Sequence, residues 1–547
     1  MFKGHPKGLY VAFFANMGER FGFYTMMAIL VMFLQAKFDL SADRAGIIYS
    51  IFYFSIYALA LLGGFLADRT QNYKGIIMMG IVIMFAGYIL MAIPGFGLTV
   101  ALIGLFTIAF GNGLFKGNLQ ALVGQMYDNP QYSALRDTAY SIFYMGINVG
   151  AFFAPNAARG IRTWYLGTQG LKYDADLPSL CNQMMNGSLG DTTKFQELAN
   201  SVSTAPVTNL TAFAQNYINV FSTGYNYAFG IAAIAMLISL LAYIFFKNYL
   251  PDRKKLNAGS DSKIQQMSKE EEKSRLTALG LVFLVVIFFW MSFHQNGLTL
   301  TYFARDYTVK AVDAFTNNFF NLWSFLSILA VLYGFIFVLG KKSSNVSRAI
   351  GGSCVVIGAY LVYYFNSSFT GANPIEPELF QQFNPIFIVV LTPVVVKLFA
   401  MLREKSIEPS TPRKIGIGMI LAAVGFMIMV LGSMNLMSPS ELGGSPSPDR
   451  ISANWLIGTY FILTIAELFL SPMGLSFVSK VSPPRFQGLM QGGWLGATAI
   501  GNQLLFVGSS LWVTIAIWQV WSVFVVCCLI SAAFIFTIMK KLEKATS

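Results

Sequence analysis

The chain has 547 residues, of which 55% are hydrophobic and only 11% charged. Soluble domains carry about 25% charged residues, so a string of soluble domains is excluded, and with it a large soluble catalytic domain. A mean hydropathy of +0.58 and 50 Phe place the chain in a bilayer, where the net charge of +12 reads as topology rather than as a nucleic-acid surface.

Apolar runs of spanning length fall at 9–36, 45–67, 75–93, 98–125, 138–157, 226–248, 276–304, 317–340, 349–366, 378–402, 415–435, 454–479, 487–508 and 511–539. Fourteen helical spans of about 22 residues would use roughly 310 residues. Continuous runs of this length fit helices, not the ~10-residue alternating segments of a membrane barrel. The expected fold class is therefore an all-α polytopic membrane protein. The first run is too long for a cleavable signal peptide and carries charges in its middle. Cys181, Cys354, Cys527 and Cys528 show no CxxC or metal spacing, so no metal site and no disulfide framework are expected.

Lys and Arg set the orientation. With the N-terminus in the cytoplasm, twenty-five fall in cytoplasmic segments, nine in external ones and three (Arg20, Lys116, Lys397) inside spans. The positive-inside rule then puts both termini in the cytoplasm of a cell membrane. Residues 158–225 read as a polar external loop, and 249–275 as a charged, solvated cytoplasmic linker. The linker separates a six-span unit, 1–248, from a second unit, 276–547. That plan suits a rocking-bundle transporter.

A charge at mid-bilayer costs roughly 2.5–3.5 kcal/mol on insertion scales, so each embedded charge needs a reason. Lys397, near a cytoplasmic end, reads as a snorkelling residue. Glu19, Arg20 and Lys116 lie too deep to snorkel; two bases with one acid make an anion site with a titratable partner. Glu467 is central in its span, beside Ser471-Pro472. His294 has Gln295, Asn296 and Thr299 nearby, which makes its helix polar on one side and suits a wet cavity.

These residues sit in a recognisable order. Span 1 reads Asn16-Met17-Gly18-Glu19-Arg20-Phe21-Gly22-Phe23-Tyr24, and Gly63-Gly64-Phe65-Leu66-Ala67-Asp68-Arg69 joins spans 2 and 3. Then come Phe143-Tyr144-Met145-Gly146-Ile147-Asn148-Val149-Gly150, Asn384-Pro385-Ile386-Phe387-Ile388, Glu467 through Ser476, and Gln487-Gly488-Leu489-Met490 reaching Trp494. In this order and in these spans, the motifs resemble the proton-dependent oligopeptide transporter family of the major facilitator superfamily. The resemblance implies two six-helix bundles around a cavity that opens to each side in turn, for proton-coupled symport of di- and tripeptides. It also implies no enzymatic activity, no catalytic residues and no cofactor beyond protons as the coupling ion. Glu19, His294 and Glu467 would carry protons. Arg20, Tyr24, Tyr57, Lys116, Asn148, Asn384, Glu467 and Trp494 would line the substrate site. Asp68 and Arg69 would belong to the cytoplasmic gate. The expected partners are small peptides or similar solutes and the lipid bilayer, with no nucleic acid, and the expected state is a monomer.

Four departures separate this chain from the family pattern. Asn16 replaces the first acid of ExxER, Met27 the following span 1 Arg, and His294 the span 7 Glu. A helical hairpin is also expected at 317–366, after span 7 instead of before it, in a peripheral position. In the family the span 1 Arg and span 7 Glu pair across the external gate. Losing both avoids stranding one buried charge, so this gate is rebuilt. The changes leave a second reading open: proton-coupled symport of another small anionic or zwitterionic solute. A membrane sensor or embedded enzyme lacks its signalling domain, ligand pair or nucleophile, and no phosphate-cradling loop points to ATP-driven transport.

Overall fold

A computed structural model describes residues 4–129, 131–132, 135–251, 268–340, 343–483 and 486–546. The fold is nearly all helical. Helices of seven or more residues are numbered here in chain order. The first half comprises α1 (Gly8–Phe38), α2 (Ala42–Thr70), α3 (Tyr73–Ala92), α4 (Leu98–Met126), α5 (Arg136–Thr168), α6 (Leu177–Met185), α7 (Thr193–Val202) and α8 (Leu210–Phe246). The second half begins with α9 (Lys269–Phe293), α10 (Thr299–Asp306), α11 (Leu322–Leu339), α12 (Asn345–Ser368), α13 (Phe383–Glu404) and α14 (Thr411–Ser433). It ends with α15 (Ala453–Val481), α16 (Gln487–Gln503), α17 (Phe506–Trp512), α18 (Ile517–Thr537) and α19 (Met539–Thr546). A two-residue antiparallel pairing of Ala311–Val312 with Asn373–Pro374 is the one named sheet among the described residues.

Local chemistry sets the helix starts. The side chains of Asn72, Asn209 and Asn321 each accept from the backbone N–H three residues on, satisfying a donor that the first turn leaves open. Within the bilayer no hydrophobic force drives helix onto helix, so close packing of small residues does that work. The α3–α4 contact shows it: a Cβ added at Gly111 would sit 2.6 Å from the Gly80 carbonyl oxygen.

Twelve of the described helical segments are long and apolar enough to span a membrane. The count of fourteen is not met on that measure. The two remaining expected spans, 138–157 and 487–508, fall on α5 and on α16–α17. Polar residues interrupt the first, and a break near Leu504–Leu505 shortens the second. The expected external loop is also shorter than 158–225. Helix α5 runs on to Thr168, and α8 starts at Leu210. Aromatic residues hold these extensions in place: the Tyr173 and Tyr217 rings stack on Phe221 at 6.0 Å. The intervening segment carries α6 and α7, and Cys181 is wholly buried in α6. Of the expected linker 249–275, residues 252–267 lie outside the described residues.

The hairpin is present as α11 and α12, and its position is peripheral. Phe325 of α11 packs against Phe152 of α5 and Ile386 of α13, and the Tyr333 hydroxyl donates to the Val389 carbonyl at 3.0 Å. Helix α12 is mostly exposed, as a lipid-facing helix is.

Two faces can be told apart. On the linker face, Lys7 lies over the Tyr249 ring at 5.4 Å, and Arg413 pairs with Glu543 at 2.8 Å. Both described ends of the chain are therefore on this side. The opposite, loop face carries α6 and α7. There the halves touch: the Tyr302 hydroxyl donates to the Ala42 carbonyl at 3.0 Å, and Gly46 of α2 abuts Ser509 of α17.

Candidate functional site

Helix α1 brings Glu19 and Arg20 into the interior, 1% and 3% exposed. Although adjacent in sequence, they form a two-pronged ion pair: Arg20 Nε to Glu19 Oε2 at 2.5 Å, and Nη2 to Oε1 at 2.6 Å. The guanidinium also lies 4.5 Å from the Phe23 ring centroid. Helix α4 supplies a further donor, Asn112 Nδ2, at 2.5 Å from Glu19 Oε1. The ammonium of Lys116, one turn along α4, lies over the Tyr57 ring at 4.1 Å. Glu19 thus shares its charge directly with Arg20 and Asn112, while Lys116 faces an aromatic wall.

The second half supplies the opposite charge. Asn384, at the start of α13, donates to Glu467 Oε2 of α15 at 2.8 Å and to Thr464 Oγ1 at 3.1 Å. Pro472 lies five residues beyond Glu467 inside an unbroken α15. Trp494 of α16, 5% exposed, lies against Gly474, where an added Cβ would come within 1.9 Å of the ring. The Arg20 and Glu467 clusters both lie within electrostatic reach of the same two tyrosines, Tyr24 and Tyr57.

His294 is built differently. Helix α9 ends at Phe293 and gives way to a 3-10 turn, His294–Gly297, before α10; tight turns of this kind within a helix often mark hinges. The imidazole lies between Trp290 and Tyr53, both centroids at 4.6 Å. Its Nδ1 is 2.5 Å from Asn502 Oδ1 of α16. The described partners of this ring come from α2, α9 and α16, not from α1, which carries Met27.

Asn148 is 5% exposed, and its Nδ2 donates to the Tyr144 carbonyl of its own helix at 3.1 Å. Asp68 and Arg69 close the linker-face end of α2. The Asp68 carboxylate accepts from the Tyr73 hydroxyl across the α2–α3 turn, and Arg69 is exposed. Nothing in the sequence marks Thr464 or Asn502 as site residues. Asn112 has a signal there: it lies in Gly111-Asn112-Gly113, one turn before Lys116. A separate cavity of about 380 Å³ opens on the loop face, lined among others by Gln35, Tyr173, Asp176, Arg305 and Trp512. None of the site residues above lines it.

The POT family pattern (PTR2) matches residues 74–258 and 358–521, well over half of the chain. The stretch between the two matches takes in α11 and the first part of α12. A peptide transporter of Yersinia enterocolitica, YePEPT, is 27% identical over 532 residues, covering 92% of this chain and 87% of the relative. A di-/tripeptide transporter of Lactococcus lactis subsp. cremoris is 27% identical over 535 residues, covering 92% and 89%. Among solved structures, a mutant of a peptide transporter POT in complex with alafosfalin superposes with a TM-score of 0.67 at 22% identity, covering 100% of this chain and 96% of that one. A POT family transporter in complex with 5-aminolevulinic acid gives a TM-score of 0.67 at 20% identity, covering 100% and 98%. Both share the fold. The chain is a multi-pass membrane protein, a transporter and not an enzyme, and it belongs to the POT family.

Proposed function

We propose that this protein is a proton-coupled symporter of di- and tripeptides that works by alternating access between 1–248 and 276–547. The observation that carries the reading is an embedded basic pair, Arg20 and Lys116, in the first half and a buried acid, Glu467, in the second, with Tyr24 and Tyr57 in electrostatic reach of Arg20 and Glu467. A dipeptide is a zwitterion. Its carboxylate suits the basic pair and its amino group the acid, and in a low-dielectric cleft such contacts exceed their strength in water. Asn148, Asn384 and Trp494 complete the lining, and aromatic surfaces accept varied side chains. The names of relatives from Yersinia and Lactococcus point to the same substrate class.

Glu19 takes the coupling proton. Ionised, it occupies Arg20; protonated, it frees Arg20 for the substrate carboxylate. Glu467 and His294 are further protonation sites, the latter tuning the loop-face gate. Asp68 and Arg69 work at the linker-face gate. The loop face is external and both termini are cytoplasmic, as the Lys and Arg distribution favours, in the inner or plasma membrane of the cell. The basic pair and the acid come from one chain, so the transport unit is a monomer.

Uptake driven by a pH gradient into vesicles holding only this protein tests the reading; absence of dipeptide accumulation overturns it. His294 and Met27, where the family carries Glu and Arg, favour a second reading, in which the solute is another small anion or zwitterion. Competition of dipeptides against nitrate and free amino acids separates the two.

A further inference from the structure

Arg162 lies near the loop-face end of α5, at 0% exposure. Both of its terminal nitrogens go to carboxylates of the other half: one Nη to Glu378 and the other to Glu376. Arg159 Nε, one turn back, pairs with Glu376 Oε1 at 3.0 Å. Asn156 Nδ2, one further turn back, donates to Gln382 Oε1 at 2.7 Å. Residues spaced by three share one face of a helix. Asn156, Arg159 and Arg162 thus form a polar row, met by partners at 376, 378 and 382 in and just before the 3-10 turn Pro377–Gln382 that leads into α13.

The Arg162 guanidinium is 3.9 Å from the Tyr173 ring centroid and 5.7 Å from that of Phe221. The Tyr225 hydroxyl accepts from Arg162 Nη1 at 3.2 Å and lies 3.2 Å from Glu378 Oε1. All three aromatic residues belong to the first half, so the cage stays with the arginine while both acids belong to the other half. Tyr173 and Tyr225 also line the loop-face cavity, so the aromatic cage around Arg162 borders that cavity.

An outer ring of charges repeats the pattern. Lys310 pairs with Asp174 at 2.6 Å and Asp176 at 2.7 Å, and Arg450 with Asp176 at 2.6 Å. Gln183 Nε2 donates to the Gly444 carbonyl at 2.6 Å. Each contact joins the segment between α5 and α8 to the second half. Lys310 and Arg450 are partly exposed, so water and salt weaken these pairs. Arg162, Glu376 and Glu378 have side chains only 0%, 6% and 0% exposed, so salt screens them far less.

We propose that Arg162, with Glu376 and Glu378, is the ionic latch of the loop-face gate, in a chain where positions 27 and 294 offer no pair of opposite charges to close it. Such a latch suits a two-state element. Closed, the buried charges require one another, since removing one partner strands the other. Open, water reaches both sides of the parted interface and solvates each charge where it stands. The segment between α5 and α8 then acts as a strap that seats the latch from outside.

The proposal rests on the alternating-access reading, and the test separates the two. All four native cysteines are replaced, and Ser509→Cys, buried against Gly46 where the halves meet, reports loop-face opening to an impermeant maleimide. Tyr144→Cys reports the other side; Tyr144 is 47% exposed and has Tyr24, Tyr57 and Glu467 as electrostatic neighbours. Glu376→Gln/Glu378→Gln is expected to raise Ser509→Cys labelling from the loop face by roughly tenfold, as a shift toward the open population requires, and to lower Tyr144→Cys labelling from the linker face. Glu376→Gln alone leaves Glu378 opposite Arg162, and it should move both readouts in the same directions by less; it decides the matter if the double variant does not fold. Unchanged labelling overturns the latch. So does a rise at both positions, which marks general loosening. Failure of the unaltered chain to transport dipeptides overturns the proposed substrate, and the labelling still decides the latch.

Discussion

The side-chain amide of Asn112 on α4 donates to the Glu19 carboxylate of α1 at 2.5 Å. It ties the proposed proton carrier to the helix that carries Lys116. A hydrogen bond to a charged group contributes about 1.5–3 kcal/mol. Asn112→Leu keeps the volume and removes the donor. Dipeptide uptake driven by a pH gradient is expected to fall by roughly tenfold or more, measured in vesicles, while protein yield and monodispersity hold. Uptake equal to the unaltered chain would show that Asn112 plays no part in coupling.

Glu19→Gln removes the ionisable group but keeps the shape and an acceptor for Arg20. Accumulation against a gradient should vanish, while counterflow exchange of dipeptide across the same vesicles persists. Full accumulation by this variant would take Glu19 out of the mechanism.

Glu467 is proposed to meet the substrate amino group. Glu467→Gln should weaken binding of free-amine dipeptides by about tenfold or more, the scale of a lost charge-assisted contact. Binding of N-acetylated dipeptides, already uncharged at that end, should change little. Calorimetry on the detergent-solubilised protein reads both. Equal losses for the two ligand classes would move the amino group elsewhere.

Gly474 lets α15 lie against the Trp494 ring. Gly474→Ala puts a methyl group where that ring lies, so the ring or the helix must shift, and overpacking of this kind costs about 1–3 kcal/mol. A lower Tm and a raised KM for dipeptide are expected from thermal unfolding and uptake kinetics. An unchanged KM would mean that Trp494 does not shape the binding cavity.

Topology calls for an exposed reporter. Cys181 is wholly buried in α6, so a cysteine at Lys194, which is exposed on α7, serves instead. It should react with impermeant maleimide in intact cells. Reaction only after permeabilisation would reverse the proposed orientation.

His294 and Met27 offer a pairwise test. His294→Glu alone should impair transport, since the new acid lacks a cation; adding Met27→Arg should restore part of the loss. Contacting residues couple by about 0.5–3 kcal/mol, read as the double-mutant cycle in uptake rate. Strict additivity would separate the two positions, an outcome that the ring's partners on α2, α9 and α16 make a sharp one to look for.

Sequence alone determined the membrane class, the helical runs and the embedded charges, because a bilayer penalises every charge that lacks a purpose. Glu19, Arg20, Lys116, His294 and Glu467 stand out for that reason, and the peripheral hairpin was legible from its apolar length. Tertiary structure decided who meets whom. Arg162 reads in sequence as one of several charges in a polar external stretch. Only the continuation of α5 to Thr168, and the docking of the turn before α13 against it, bury it beside Glu376 and Glu378. Asn112, Thr464 and Asn502 are uncharged, so they cost little in sequence terms and give little signal. Their partners lie on other helices, and helix-to-helix contact is set by packing across many spans, which no local window of the chain contains.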